Sequence, residues 1–382
     1  MNPKAELDIV VYGASGFTGR LVAEYLAKRY GAGGVKWAMA GRSKSKLAQV
    51  RDAMDVPKDV PLIVADGTDE DSLKRMCAQT KAVITTVGPY QLYGSGLLAV
   101  CAETGTDYLD LTGEPNWMAE MIGKHEAQAK TSGARICFSC GFDSIPFELG
   151  VFFVEELARK KFGHTVSRVK GRVRGMDGGL SGGTAASGAA TMAAIQKDPS
   201  LIALMMSPFA LTPGYTGVEQ PNGNEKGHDA DVGSDVGPFM MAAINTKNVH
   251  RSNMLQGFPY GRDFQYDEMV MLRSGSGSDF VMPTGDSAPK PGEGPSKEER
   301  ERGFYDVVFI GIDKDGRKVQ ASVKGDMDPG YGSTSKILAE AGICLVKDCP
   351  DVPGGIWVPG AAMGQKLIDR LNANAGVTFE AE

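Results

Sequence analysis

At 382 residues the chain is long enough for two domains, and 42% hydrophobic with 23% charged content is ordinary for a globular protein. A formal net charge of −6 argues against non-specific nucleic-acid binding. No secretory leader precedes the first strand and no apolar run is long enough to span a membrane, so a cytoplasmic protein is expected, its six cysteines too sparse for a disulfide scaffold and therefore reduced.

The chain is organised around Asp8 to Arg29. Ile9 to Tyr12 is a short, β-branched apolar run that reads as a buried strand. Gly13, Gly16 and Gly19 follow, and then Leu21, Val22, Tyr25 and Leu26 recur at helical spacing. Strand, glycine turn and helix seat a dinucleotide pyrophosphate: Gly13 turns the chain, Gly16 admits phosphate close to the backbone, and Gly19 packs the helix on the sheet. Gly13, Ser15, Gly16, Phe17, Thr18 and Gly19 are the candidate phosphate contacts, with hydroxyl donors from Ser15 and Thr18. The spacing is G-x-x-G-x-x-G, and the plainer alternative is an ordinary strand–helix turn.

A second strand over 35–39 ends in Arg42 and Ser43, where the residue facing the adenosine ribose is expected. An acidic residue there suits NAD; an arginine suits the 2′-phosphate of NADP, unless Arg42 is merely a solvated loop cation. A third strand, 61–65, ends at Asp66, a usual neighbour of adenine. A fourth, 82–87, leads into Val87, Gly88, Pro89 and Tyr90. A fifth, 108–111, ends in Thr112, Gly113 and Glu114, and a sixth, 134–139, in Gly141 to Pro146. Strands alternating with helices make a parallel sheet covered on both faces, with ligands at the carboxyl ends of its strands.

Beyond Arg159 the pattern changes. Residues 166–174 alternate, with Arg168, Lys170, Arg172 and Arg174 on one face, which reads as a solvated basic face or a ligand-facing one. Residues 213–237 and 274–300 read as long surface loops. The segments 304–312 and 318–323 read as a hairpin turned at Asp313 to Gly316. A helix is expected over 332–341 and another over 361–371. The second half is thus expected to be an antiparallel sheet with helices.

Several stretches together resemble the saccharopine dehydrogenase-like oxidoreductases: VYGASGFTGRLVAEYL, WAMAGRSKSKL, TTVGPYQLYGSGLLAVCAETGTDYLDLTGE, CGFDSIPFELG, DPGYGSTSKILAEAG and GGIWVPGAAMGQKLIDRL. They are most similar to the trans-acting enoyl reductases that work beside polyketide synthases. The resemblance implies an α/β fold: an N-terminal Rossmann-type, doubly wound parallel sheet, an inserted α+β domain, and a C-terminal return to the Rossmann side. It also implies NADPH. The expected boundaries are 1–150, 151–345 and 346–382. A homodimer is expected, and peripheral association with a membrane or a synthase is compatible with the pattern.

A reductase needs a proton donor as well as a hydride. No tyrosine has a lysine four residues on, which disfavours the short-chain reductase mechanism. Tyr90 and Tyr93 follow the fourth strand at the expected nicotinamide end, with packing as the bland alternative for both. Asp143 could orient substrate or cap the next helix. Tyr331 is a candidate from the second half. Gly179 to Gly183 matches G-x-S-x-G, but it lies outside the alternating half, and a flexible substrate wall is the better reading. Cys137 and Cys140 form a C-x-x-C that reads as buried core rather than a metal site. Nine of the 18 methionines lie between Met192 and Met282, which suits an irregular apolar pocket for an acyl or enoyl substrate, or else a core or dimer interface. Imine reduction on an amino acid is the alternative within enzymes; a non-catalytic nucleotide-binding, lipid-associated protein is the alternative outside them.

Overall fold

The structure is a computed structural model that describes residues 5–382 apart from 32, 180, 273–289 and 291. Its strands in chain order are β1 (Leu7–Tyr12), β2 (Trp37–Gly41), β3 (Leu62–Val64), β4 (Thr80–Thr85), β5 (Asp107–Leu109), β6 (Arg135–Cys137), β7 (Arg168–Asp177), β8 (Gly227–Asp229), β9 (Ser234–Pro238), β10 (Gln265–Met271), β11 (Phe304–Ile312), β12 (Lys318–Gly325), β13 (Gly355–Trp357) and β14 (Val377–Ala381).

The first sheet runs β3-β2-β1-β4-β5-β6-β13, all parallel. Central strands covered on both faces must be apolar throughout, and Ile9, Val10, Val11, Val83 and Ile84 have no exposure at all. The order reverses between β1 and β4, which opens a crevice beyond the carboxyl ends of these strands. The doubly wound arrangement is the expected one. Its seventh strand, β13, is not, because Gly355 to Trp357 is too short to read as a strand until Cys137 and Ile136 pair with it.

The second sheet runs β14-β12-β11-β7-β10-β9-β8. It is mixed rather than antiparallel, since β7 and β10 lie parallel from Arg168↔Gln265 to Val173↔Val270. The hairpin of β11 and β12 forms as expected. The region 213–237 contains β8 and β9 as well as loop. The loop expected over 274–300 falls largely outside the described residues; its end enters the helix Lys297–Arg302. The helix Ile145–Phe162 lies tight on the second sheet, where a Cβ at Gly150 would collide with the Phe309 ring.

The basic face of β7 is not solvated. Arg168 and Arg172 pair with Asp267, Lys170 and Arg172 with Asp229, and Arg174 with Asp306 and Glu382. Alternation placed the cations on one face, and acids from neighbouring segments neutralise them there.

Several buried acids carry their proton. Burial pushes Glu148, Glu155 and Glu268 up to about 8, against the hydrogen bonds that Glu148 accepts from the Gly360 amide and Glu268 from Asn245 and Tyr266. A carboxyl whose folded pKa lies above its unfolded value holds a proton the unfolded chain has released, so its contribution is lost as pH rises toward the folded pKa. Stability is expected to fall between pH 6.5 and 8, each group steepening the slope by at most about 1.4 kcal/mol per pH unit. Buried His250, depressed to about 3 by desolvation, acts in the opposite sense only below this window. Thermal melting across that range checks it: Glu268→Gln should flatten the decline, and a flat wild-type profile contradicts it.

Candidate active site

The glycine turn forms as the sequence requires. Gly13 adopts φ +86°, and a Cβ there would meet Val87 Cγ2 at 2.7 Å. A Cβ at Gly19 would overlap the Gly13 carbonyl and reach Thr86 Oγ1 at 2.8 Å, so the helix Phe17–Tyr30 can sit this close to β1 and β4 only with glycine. Gly16 differs. It is exposed, and its absent side chain would touch only the Gly13 carbonyl, at 3.3 Å. No side chain caps this helix, so its first-turn amides face outward beside exposed Ser15. This open cradle with free donors fits a pyrophosphate.

Arg42 is exposed at the end of β2, close enough to Asp66 to help hold that carboxyl below its usual range, after the Thr68 amide and hydroxyl that Asp66 accepts. Ser43 caps the helix Lys44–Ala53 by accepting the Lys46 amide. Ser15 lies at the end of β2 as well, since a Cβ at Gly41 would reach its Oγ at 3.7 Å. Ser15, Arg42, Ser43 and Asp66 thus gather at one end of the crevice.

At the other end, the Gly88–Pro89 peptide is cis and Gly88 is exposed. Tyr90, 5% exposed, donates to the Thr85 carbonyl and accepts the Leu111 amide, so its hydroxyl is committed on both sides and serves as a strut. Tyr93 is 58% exposed at the rim. Thr112 is fully buried: its amide donates to Asp110, its hydroxyl oxygen accepts the Glu114 amide and its carbonyl accepts Ser139. Only the Thr112–Gly113 backbone can line the crevice, and a Cβ at Gly113 would meet nothing. Asp110, locked between the Thr112 and Ser139 amides and the Tyr108 hydroxyl, is pushed up to about 7 by burial. Asp143 is half-buried beyond β6, and desolvation raises it to about 6; it does not cap the following helix, whose N-terminal residue Ser144 makes no side-chain cap either.

Glu114 was legible only as a strand-end residue. Its buried carboxylate accepts the Tyr90 and Gln91 amides, each at 2.9 Å, and the Ser187 hydroxyl, also at 2.9 Å. Ser187 belongs to the helix Gly182–Lys197, which also receives the Gln91 amide group on Thr191 Oγ1 at 3.1 Å. This Ala-rich helix therefore roofs the Gly88–Tyr93 turn. The short helix Leu201–Met206 follows it against the helix Pro115–Ser132, and neither its residues nor those of the roof beyond Gly182 are buried.

Ser181 is the roof helix's N-cap, accepting the Gly183 amide, and it has no histidine partner. His228 is exposed beside Asp235, and His250 is buried against Phe209. Nothing here assembles a hydrolase triad. All six cysteines are buried thiols, and no group of three or more metal-ligating side chains gathers among the described residues. No helix of the described residues is long and apolar enough to cross a membrane.

A family profile described as the saccharopine dehydrogenase NADP binding domain matches residues 9–137. A relative from Mycobacterium tuberculosis is 37% identical over 411 residues, covering 98% of this chain and 97% of the relative. Trans-acting enoyl reductases of Mycobacterium leprae and Mycobacterium bovis are 34% and 35% identical, each alignment covering 99% of both chains. Among solved structures, apo saccharopine dehydrogenase (L-Glu forming) from Saccharomyces cerevisiae shares the fold, with a TM-score of 0.57 at 10% identity over 98% of this chain and 99% of that one. The chain belongs to the saccharopine dehydrogenase-like oxidoreductases, as an NADP-dependent member of that family.

Proposed function

We propose that the protein reduces the carbon–carbon double bond of an apolar 2-enoyl thioester. The observation that carries this reading is the pairing of all four β7 cations with the protein's own carboxylates. A dicarboxylic amino acid needs converging free cations, and this cluster offers none. The roof helix that covers the Gly88–Tyr93 turn carries no charged side chain between Gly182 and Gln196, so it offers no cation to a carboxylate either. The names of the full-length relatives support the same reading.

In this reading Gly13 to Gly19 receive the pyrophosphate, with Ser15 and Thr18 donating hydrogen bonds and Phe17 closing the loop. Arg42 and Ser43 take the 2′-phosphate, and Asp66 borders the adenine. Val87, Gly88, Pro89 and the Thr112–Gly113 backbone line the nicotinamide. When bound, NADPH supplies the hydride. The chain's own work is to hold substrate beneath the roof, exclude water, and deliver a proton. Asp143 borders the substrate, while exposed Tyr93 guards the rim.

Stopped-flow NADPH oxidation with a medium-chain 2-enoyl thioester tests this. Turnover is expected with the thioester and not with an amino-acid imine; the reverse preference would sink the proposal. In the same assay Arg42→Ala should weaken NADPH binding about 10- to 100-fold, the loss of one charge-assisted contact of about 1.4 to 2.7 kcal/mol, and leave NADH unchanged.

A further inference from the structure

We infer that Tyr331, on the second half of the chain, is the catalytic proton donor of this site; the assignment rests on the reductase reading above. Tyr331 stands where three separated elements meet. Its ring packs edge-on against Phe17 of the glycine turn, with centroids 5.1 Å apart. Its hydroxyl meets the Ser181 amide and Thr184 Oγ1, the latter at 2.8 Å, at the start of the roof helix. Asp143, at the end of β6, lies close enough to act on that hydroxyl electrostatically. The turn that carries Tyr331 is also tied to the strand end beside Asp143: the Phe142 amide donates to Thr334 Oγ1 at 3.0 Å.

The placement is rigid. Pro329–Ser333 is a single π-helical turn, a form that concentrates at functional sites. Asp328, fully buried, accepts the Tyr331 and Gly332 amides at 3.0 and 2.7 Å and fixes the turn. The ring itself is 4% exposed.

The hydrogen-bond pattern separates Tyr331 from the other tyrosines near the crevice. Tyr90 spends its proton on the Thr85 carbonyl. Tyr93 stands at the exposed rim. The Tyr331 oxygen accepts the Ser181 amide, and its hydroxyl shares a hydrogen bond with Thr184 in which either oxygen can donate, so its proton is not committed to a backbone carbonyl as that of Tyr90 is. Once the proton has gone, the Ser181 amide and the Thr184 hydroxyl can both donate to the tyrosinate, as preorganised donors do for a developing oxyanion.

The step balances as follows. With bound NADPH supplying the hydride to the β-carbon of the enoyl thioester, the electron pair of the double bond would move toward the thioester carbonyl as an enolate. The α-carbon takes the Tyr331 proton, forming a C–H bond as the O–H bond breaks. Water returns a proton to the tyrosinate, and saturated thioester and NADP⁺ leave.

The test compares wild type, Tyr331→Phe and Thr184→Val with NADPH and a medium-chain 2-enoyl thioester. It records kcat and KM, NADPH affinity by fluorescence without substrate, and the melting temperature. Tyr331→Phe is expected to lower kcat at least ~100-fold, the usual scale of a positioned general acid, with KM and NADPH affinity within about twofold of wild type. Thr184→Val, which keeps the tyrosine and removes one donor to its oxygen, should cost less and move the alkaline limb of the kcat–pH profile to higher pH. Wild-type kcat in Tyr331→Phe, or a loss matched by lost NADPH binding, would overturn the assignment while leaving the reductase reading in place. A wild-type enzyme inert toward the thioester but saturable with NADPH would overturn the reductase reading itself, and the proton donor with it.

Discussion

Gly16→Val is expected to abolish NADPH binding in a protein that remains folded, whereas Gly19→Val is expected to cost the fold. The two glycines lie three residues apart on the same turn, yet they face different things. At Gly16 the new side chain would press on the Gly13 carbonyl alone, at 3.3 Å, and fill the cradle where the pyrophosphate belongs. Melting should stay near the wild-type temperature while NADPH affinity falls at least ~100-fold, about 2.7 kcal/mol. At Gly19 the new Cβ would overlap the Gly13 carbonyl and press on Thr86 Oγ1, so the helix must lift from β1 and β4. Overpacking against backbone costs about 3 kcal/mol or more, enough to remove much of a domain's stability. Fluorescence titration and thermal melting of both variants check the pair. Normal binding by Gly16→Val would show that the turn is not the phosphate seat.

The second large effect is expected at Glu114. Glu114→Ala would leave the Tyr90 and Gln91 amides without their acceptor and release Ser187 from the strand end. Buried donors that lose a charged acceptor cost about 2–4 kcal/mol together. Activity should fall further than stability does, because one carboxylate holds both the turn that carries Gly88 and the roof above it. Ser187→Ala removes only the tether to the roof. It should leave melting nearly unchanged while raising KM and the rate of proteolysis within 182–206. If Glu114→Ala melts like wild type and turns over normally, the carboxylate organises nothing.

Much of this was legible in residue order. Glycine spacing after a β-branched run located the turn, and the six early strands announced themselves by apolar runs that end in Gly, Asp or Thr. What stayed hidden depends on contacts between residues far apart in the chain. The parallel pairing of β7 with β10 leaves no trace in either strand's own alternation. The cations of β7 read as solvated because their partners, Asp229, Asp267, Asp306 and Glu382, lie 57 or more residues away. Glu114 and Ser187 are each unremarkable polar residues until the roof helix brings them to 2.9 Å. Tyr90 and Tyr331 could not be ranked from sequence, since what divides them is the partner each hydroxyl meets in the fold, a backbone carbonyl for Tyr90 and the Thr184 hydroxyl for Tyr331.

The way the backbone weaves between the two sheets has a mechanical consequence. Among the described strands it passes from one sheet to the other three times: from β6 to β7, from β12 to β13, and from β13 to β14. Bodies joined by a single flexible tether can swivel freely; bodies joined by three separate spans lose most of that freedom. Here one continuous core, running from Ile9 and Val11 of β1 to Val169 of β7 and Phe309 of β11, fills the space between the sheets, so the three spans and that core hold the halves as one body. Tyr331 sits on the second of these spans, just after β12, and so the span itself fastens the second sheet to the glycine turn through Phe17.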